Sequence, residues 1–192
     1  MSRKLDLYLT GVGGQGILTI ADIIMIAAME KGIHCNYFPT KGMAQRGGFV
    51  KAQLRLGQAE GGPDISLHAA DTVISMELSE SLKAVDYLKK DGDFLVYGYR
   101  WLPTEVMLGR APYPDREAVM AQVKTVTGNG FFLDPAQLPQ GCSDNIFVLG
   151  AAMRHTALGE LFSREEILNA VIRRFPKAAE ANTKAFEAGY EA

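Results

Sequence analysis

The stretch GVGGQG, residues 11–16, decides the fold because of what lies on either side of it. Before it, LDLYLT (5–10) is an apolar run typical of a buried strand. After it, from Gln15 to Lys31, apolar side chains recur every three or four residues, which is the period of a helix packed on one face. Gly32 then supplies the residue type that commonly ends a helix. The sequence therefore predicts a strand, a glycine-rich turn and a helix.

The chain then continues to alternate strands with helices. IHCNYF (33–38) predicts a second strand, and a right-handed crossover through the first helix would make the first two strands a parallel βαβ unit. FVKAQLRLG (49–57) alternates apolar and polar side chains and predicts a half-exposed strand. The remaining predictions for this half are a strand at 72–76, a helix from Leu78 to Leu88, a turn at Asp91–Gly92 and a strand at 93–98.

The second half begins irregularly and ends in helices. Residues 101–117 hold three of the eight prolines and predict a long surface loop. A helix is predicted at 117–127, a short strand at 131–134, and helices over the last fifty residues. The residues that mark those helix boundaries are Ser143, Ser163 with Glu166 as a capping box, and Pro176. We predict one α/β domain over residues 1–192: three layers, a mostly parallel, Rossmann-like sheet and a helical C-terminal region.

The composition excludes several classes of protein. With 192 residues, 47% apolar content and a formal net charge of −2, the chain gives no reason to expect binding to nucleic acid or to a membrane surface. The most apolar helical run, 17–29, contains Asp22 and is too short to span a bilayer, and no signal peptide is evident, so we expect a cytoplasmic protein. Cys35 and Cys142 are far apart and the three histidines are scattered, so no metal site is predicted.

The glycine-rich turn matches a phosphate-binding pattern. Gly11, Gly13 and Gly16 fit G-x-G-x-x-G between a strand and a helix, as in dinucleotide-binding folds. Glycines let the backbone approach a ligand closely, and the helix N-terminus offers unpaired N–H groups to an anion. A turn that only packs the helix on the strand is the alternative interpretation.

An ordinary NAD site is disfavoured by the charges that follow. Such a site needs an acidic residue about twenty residues after the turn to bind the ribose. There is no Asp or Glu between Glu30 and Glu60, which also disfavours an adenylating enzyme. Lys41 and Arg46 would suit a 2′-phosphate, so a stand-alone NADP-type oxidoreductase stays open. A non-enzymatic module that binds an anion or nucleotide stays open as well.

A second glycine-rich stretch, TKGMAQRGGFV (40–50), directly follows the predicted second strand. It therefore lies at the carboxyl edge, where open α/β sheets bind ligands. The planar guanidinium of Arg46 suits a carboxylate or phosphate, and the amide of Gln45 can both donate and accept. We predict that the two glycine-rich loops converge on one edge of the sheet with a positive bias between them.

Four ordered blocks resemble a known family over essentially the whole chain. They are GVGGQGILT (11–19), GMAQRGG (42–48), SDNIFVLGA (143–151) and NTKAFEAGY (182–190). Together they resemble the gamma-type subunit of the 2-oxoacid:ferredoxin oxidoreductases. The likeness is to the small subunit of indolepyruvate oxidoreductase, or to a free-standing gamma subunit for pyruvate, 2-oxoisovalerate or 2-oxoglutarate.

The resemblance implies a place in a hetero-oligomeric enzyme. Such enzymes decarboxylate a 2-oxoacid on thiamine diphosphate with Mg²⁺, pass electrons through iron–sulfur clusters to ferredoxin, and release the acyl group as its coenzyme A thioester. Other subunits hold the thiamine diphosphate and the clusters, so this chain is expected to bind no cofactor alone and to be inactive alone. The gamma subunit is expected to help shape the site for coenzyme A or substrate. Which 2-oxoacid is used and how many partner subunits exist are not encoded in these motifs.

The resemblance also implies a set of residues at the edge facing cofactor or substrate, but no catalytic residue. They are Gly13, Gly14, Gln15, Gly16, Gly42, Met43, Ala44, Gln45, Arg46, Gly47, Gly48 and Asn145, to which we add Lys41 because its charge suits an anion. Lys41 departs from the family, which most often has histidine before the GMAQRGG block. We also expect an exposed apolar patch for the partner, formed by Tyr97–Trp101 and the proline-rich loop after it.

Overall fold

The computed structural model describes residues 4–41, 47–58 and 61–192. Within them, six strands form one sheet: β1 (Leu5–Val12), β2 (Cys35–Lys41), β3 (Phe49–Leu56), β4 (Ala70–Ser75), β5 (Leu88–Tyr97) and β6 (Gly130–Leu133). The helices are α1 (Ile17–Glu30), α2 (Glu80–Ala84), α3 (Thr104–Met107), α4 (Arg116–Lys124), α5 (Asp144–His155), α6 (Leu158–Leu161), α7 (Arg164–Arg174) and α8 (Ala179–Glu191). Short 3-10 turns lie at Val85–Tyr87, Pro135–Gln137 and Pro176–Ala178.

The strand order is β2-β3-β1-β4-β5-β6. β1, β4, β5 and β6 are parallel to their neighbours in this series, whereas β3 is antiparallel to both β1 and β2. The mostly parallel sheet is thus confirmed. The predicted βαβ unit is wrong in one respect: β1 and β2 run in the same direction, but β3 lies between them.

β3 is also more buried than its alternating pattern predicts. It is hydrogen-bonded to a strand on each side, and helix α1 packs over its apolar face. On the other face Gln53 is fully buried, where its amide donates to Asp64 and accepts from the backbone of Ile65. A polar residue in a strand can therefore be buried when the segment that covers it supplies hydrogen-bonding partners.

Helices cover both faces of the sheet, which confirms the three-layer architecture. The larger apolar core lies on the face covered by α1 and the C-terminal helices, and includes Leu7, Phe147 and Phe186. The smaller core lies on the opposite face under α2 and α4, and includes Phe94 and Val119. In the part of the chain that is described, no helix has the combined length and apolar character needed to cross a membrane.

Helix α1 begins and ends at the glycines that the sequence indicates. Gly16 is its N-cap residue, in the left-handed conformation. At the other end the N–H of Gly32 donates to the carbonyl of Met29 (3.1 Å), and the N–H of Ile33 donates to the carbonyl of Ala28 (2.8 Å). These two bonds form a Schellman motif, and Gly32 has the positive φ of 67° that this motif requires.

Two predicted elements between residues 78 and 98 need correction. The helix predicted from Leu78 to Leu88 is only α2 followed by a 3-10 turn. The turn predicted at Asp91–Gly92 is a bulge inside β5, because the pairing with β4 shifts there and Asp91 has a φ of 61°. The predicted long loop at 101–117 is mostly exposed, but contains the short helix α3.

The C-terminal helices form as predicted, with one difference at their boundaries. Ser163 and Glu166 make the capping box of α7 in both directions, and Pro176 opens a 3-10 turn. Ser143 is the N-cap residue of α5, but its side chain makes no capping hydrogen bond. The sequence therefore predicts the start of α5 correctly, but the capping hydrogen bond expected from the side chain of Ser143 does not form.

α5 and α8 cross at very short range through a pair of glycines. A Cβ atom added to Gly150 would lie 2.0 Å from the carbonyl oxygen of Phe186, and one added to Gly189 would lie 1.9 Å from that of Phe147. Both obstacles are backbone atoms, which a side-chain movement cannot clear. The two helices can therefore pack at this distance only with glycine at both positions.

Candidate functional site

The glycine-rich turn links the carboxyl end of β1 to the N-terminus of α1. Gly11 lies within β1, and Gly14 and Gly16 have φ values of 102° and 79°, which favour glycine. The amide of Gln15 accepts from the N–H of Val12 (2.8 Å) and donates to the carbonyl of Met76. Gln15 therefore braces the turn against the end of β4, and the backbone of the turn faces outward.

The second glycine-rich loop meets this turn, as the sequence predicts. The N–H of Gly13 donates to the carbonyl of Gly48 (2.8 Å), and the N–H of Gly47 donates to the carbonyl of Gly13 (3.3 Å). Of the remaining candidate residues, Gly42, Met43, Ala44, Gln45 and Arg46 lie outside the described residues, as does the side chain of Lys41. The positive bias expected from Lys41 and Arg46 stays a prediction.

Asn145 lies against the glycine-rich turn although the two are far apart in sequence. A Cβ atom added to Gly16 would lie 2.4 Å from Nδ2 of Asn145. A cavity of about 380 Å³ opens at this contact, and its walls are Gly14, Gln15, Gly16, Tyr99, Trp101, Ser143, Asp144 and Asn145. The N-termini of α1 and α5 thus border one cavity, and neither N-cap residue makes a side-chain capping bond, although Oδ1 of Asn145 accepts from the N–H of Ile146 (3.0 Å) in the first turn of α5.

Trp101 separates this cavity from a larger one. Its indole lies against Gly47, where an added Cβ atom would be 2.5 Å from Nε1 of the ring. On the other side of Trp101, a cavity of about 560 Å³ is lined by Val12, Gly47, Gly48, Ser79, Glu80, Arg100, Trp101, Leu102, Pro103, Thr104 and Met107. Trp101 and the two glycine-rich loops therefore form a continuous strip along the carboxyl edge of the sheet. We call this strip and its two cavities the edge site.

The described charges of the edge site are mixed. Asp144 accepts a hydrogen bond from the hydroxyl of the buried Tyr97, and burial together with this bond raises the pKa of Tyr97. The carboxylate of Glu80 pairs with Lys83 at 2.9 Å. The guanidinium of Arg100 is stacked 4.9 Å from the centre of the Tyr113 ring. A ligand in the smaller cavity would meet backbone N–H groups, the amide of Asn145 and the carboxylate of Asp144.

Sequence analysis missed Glu77, which organises one wall of the edge site. It is fully buried just after β4, and its carboxylate accepts from the backbone N–H of Trp101 (3.0 Å). The hydroxyl of Tyr113 donates to the same carboxylate, and burial and this bond raise the pKa of Tyr113. The sequence did hold one indication of this role: Glu77 is an acidic residue directly after a predicted buried strand, at the edge of the sheet where ligands bind.

Exposed apolar side chains lie beside the edge site, in the loop that comes after β5. Trp101, Leu102, Met107 and Leu108 are between 39% and 65% exposed, which confirms the expected apolar surface for this part of the loop. Tyr97 is fully buried, so its inclusion in the exposed segment was wrong. Large exposed apolar side chains close together in sequence are typical of a surface that a partner covers.

Comparison with known proteins places the fold in a family. The family model described as pyruvate ferredoxin/flavodoxin oxidoreductase matches residues 6–192. The chain belongs to this family. It is 34% identical over 198 residues to the indolepyruvate oxidoreductase subunit IorB of Pyrococcus horikoshii, covering 99% of this chain and 96% of that protein. It is 29% identical over 192 residues to the IorB subunit of Archaeoglobus fulgidus, covering 97% and 94% respectively.

A solved structure supports the same assignment. The pyruvate oxidoreductase subunit PORC of Thermotoga maritima is 25% identical, with a TM-score of 0.67 over 99% of this chain and 97% of that chain. These matches confirm the prediction made from the four sequence blocks. The chain is a gamma-type subunit of a 2-oxoacid:ferredoxin oxidoreductase. The alternatives of a stand-alone NADP-type oxidoreductase and of a non-enzymatic binding module are not favoured.

Proposed function

We propose that this gamma-type subunit uses the edge site to hold part of coenzyme A, next to the partner subunit that performs the chemistry. The reaction is the oxidative decarboxylation of a 2-oxoacid to an acyl-CoA, with electrons passed to ferredoxin. One observation carries the proposal. The first glycine-rich turn and Asn145 border one cavity, and the second glycine-rich loop, hydrogen-bonded to the turn, borders the adjoining cavity, so three separate blocks of the chain meet in the edge site.

The chemistry of the edge site suits a ligand with amide and anionic groups. Uncapped helix N-termini attract negative groups such as phosphates, because their first N–H groups lack acceptors within the helix. Nδ2 of Asn145 can donate to a ligand, whereas its Oδ1 already accepts from the N–H of Ile146 (3.0 Å), and Asp144 can accept from an N–H or a hydroxyl. Coenzyme A carries phosphates, amides and hydroxyls, whereas the 2-oxocarboxylate group that all candidate oxoacids share offers acceptors only. This difference favours coenzyme A over the oxoacid at this position.

The resident cofactors of such enzymes do not fit the described residues of this chain. Nowhere in residues 4–41, 47–58 and 61–192 do three or more His, Cys, Asp or Glu side chains group so that they could hold a metal ion. Both cysteines are free and partly buried at separate places. We therefore assign Mg²⁺ and the iron–sulfur clusters to partner subunits of the complex, and the family resemblance implies the same for thiamine diphosphate.

We further propose that the apolar segment 101–108 contacts a partner subunit of the same complex. It adjoins the edge site, so a partner seated on it would also close the edge site. Ferredoxin would meet the complex through the subunits that hold the clusters. A cytoplasmic location stays a prediction from the sequence, and the 2-oxoacid remains to be found by assaying the assembled enzyme with several oxoacids.

Asn145→Ala tests the proposal in the assembled enzyme. A hydrogen bond contributes about 0.5–1.5 kcal/mol, so we expect the KM for coenzyme A to rise up to about tenfold. The KM for the 2-oxoacid should stay unchanged. Steady-state kinetics with each substrate varied in turn measures both values.

Asn169→Ala is the matched control, because Asn169 is exposed on α7, away from the edge site. It should leave both constants unchanged. If Asn145→Ala raised only the KM for the oxoacid, the edge site would hold the oxoacid instead. If neither KM changed, the proposed role of the edge site would be wrong.

A further inference from the structure

The carboxylate of Glu77 is buried without a cationic partner among the described residues. Instead, four donors surround it. One oxygen accepts from the N–H of Trp101 (3.0 Å) and from the hydroxyl of Tyr113, and the other accepts from the hydroxyl of Ser79 (2.6 Å) and the N–H of Glu80 (2.9 Å). A buried carboxylate is tolerated only when its hydrogen bonds are satisfied, so these contacts must form together.

These donors come from two different parts of the chain. Ser79 and Glu80 belong to the start of α2, immediately after Glu77. Trp101 is the first residue of the exposed segment 101–108 in the loop that follows β5, and Tyr113 lies after this segment in the same loop. Glu77 therefore ties both ends of this loop to the carboxyl end of β4.

Within the edge site, the hydrogen bonds of Glu77 affect the position of Trp101. The indole lies against Gly47 and forms the wall between the two cavities. Its backbone N–H is the group that Glu77 holds, whereas Trp101 as a whole remains 39% exposed. The backbone next to Trp101 is also held by the N–H of Leu78, which donates to the carbonyl of Tyr99 (2.9 Å), and the bond to Glu77 is the one made by Trp101 itself, so it helps to fix where this wall stands.

We propose that Glu77 is a positioning residue: it holds Trp101 against Gly47 and so sets the shape of the cavities that receive coenzyme A. The inference rests on the proposed function for its ligand. Its first step, the placement of Trp101 by Glu77, is independent of any ligand. An experiment can therefore refute the effect on coenzyme A binding without refuting the placement of Trp101.

Tryptophan fluorescence of the full chain tests the first step, because Trp101 is the only tryptophan. In Glu77→Ala the emission maximum should move to longer wavelength. Quenching by acrylamide should rise by up to about 2.5-fold, since Trp101 is now 39% exposed and would become fully exposed. Tyr113→Phe removes one donor only, so it should give a smaller change of the same sign and keeps the test available if Glu77→Ala does not fold.

Ser163→Ala is the control for a general loss of stability. It removes the capping box of α7, far from Trp101, and should lower the melting temperature without changing the emission. If Glu77→Ala and Tyr113→Phe lowered the melting temperature but left emission and quenching as in the wild type, Glu77 would be structural only and the proposal would be wrong.

The second step is tested in the assembled enzyme with Glu77→Gln. A glutamine keeps one accepting oxygen, but its amide nitrogen faces donors, so Trp101 should be held less firmly. We expect the KM for coenzyme A to rise about tenfold, the effect of losing one charge-assisted hydrogen bond, with the KM for the oxoacid unchanged. A changed fluorescence with an unchanged KM for coenzyme A would refute the link to the ligand while leaving the placement of Trp101 intact. If Asn145→Ala also had no effect, the proposed function itself would fail.

Discussion

Gly189→Ala is expected to be among the most destabilising single-methyl changes in the C-terminal helices. The new Cβ atom would lie 1.9 Å from the carbonyl oxygen of Phe147 and 3.0 Å from the backbone N of Ala151, so α8 must move away from α5. Overpacking typically costs 1–3 kcal/mol and sometimes more, while alanine regains about 1 kcal/mol of helix propensity. Because the obstacle is backbone, we expect a net loss of about 2–3 kcal/mol.

Thermal unfolding of the full chain measures this loss. For a domain of this size, 1 kcal/mol shifts the melting temperature by about 2–4 °C, so Gly189→Ala should lower it by about 5–10 °C. Gly150→Ala should have a similar effect, since its Cβ atom would meet the carbonyl oxygen of Phe186 at 2.0 Å.

Gly128→Ala is the control, because nothing lies within 4 Å of an added Cβ atom at that position. It should change the melting temperature by a degree or less. A Gly189→Ala chain as stable as the wild type would mean that α5 and α8 are not held at this distance.

The parts of the fold that depend on local pattern could be predicted from the sequence. α1 follows from its apolar period, and its end follows from Gly32, because only a residue that tolerates a positive φ completes the Schellman motif. The capping box at Ser163 and Glu166 is likewise a local interaction. Such features need no information from distant parts of the chain.

The order of the strands in the sheet could be predicted only in part, because it depends on connection lengths and on pairing between distant segments. A parallel neighbour requires a crossover of about a dozen residues or more, usually a helix. The connection between β2 (Cys35–Lys41) and β3 (Phe49–Leu56) is shorter than that, which favours antiparallel neighbours. The pattern of β3 alone did not reveal that it would lie between β1 and β2, because that position depends on non-local pairing.

The edge site was predictable in part. The convergence of the two glycine-rich loops follows from their positions at the carboxyl ends of strands. The contact between Asn145 and Gly16 follows from no local pattern, and only the family resemblance placed both in one site. Glu77 was missed because its role depends on donors from a loop more than twenty residues later, which no motif records.

Gly16→Ala is expected to have the largest effect on the assembled enzyme. The position has a φ of 79°, where alanine costs about 1–2 kcal/mol, and its Cβ atom would lie 2.4 Å from Nδ2 of Asn145. The amide must swing away from the N-terminus of α1, and the methyl group occupies part of the cavity. We expect turnover at low coenzyme A concentration to fall more than tenfold, which corresponds to a loss of more than about 1.4 kcal/mol of binding to the transition state.

Gly32→Ala is the matched control for backbone strain. Gly32 has a similar φ of 67° at the far end of α1, and nothing lies within 4 Å of an added Cβ atom. It should lower the melting temperature through the left-handed strain alone and leave the kinetics with coenzyme A unchanged. Equal kinetics in the two variants would show that the cavity beside Gly16 takes no part in binding.

The double variant Gly16→Ala, Asn145→Ala separates the steric effect from the chemical one. Removing the Asn145 side chain relieves the contact, so the melting temperature should recover towards that of Gly32→Ala, and the two substitutions should be non-additive in stability because their side chains touch. Turnover at low coenzyme A concentration should not recover, since the amide that binds the ligand is absent. If turnover recovered together with stability, the amide of Asn145 would only pack against Gly16, and the ligand would be bound by other groups of the enzyme.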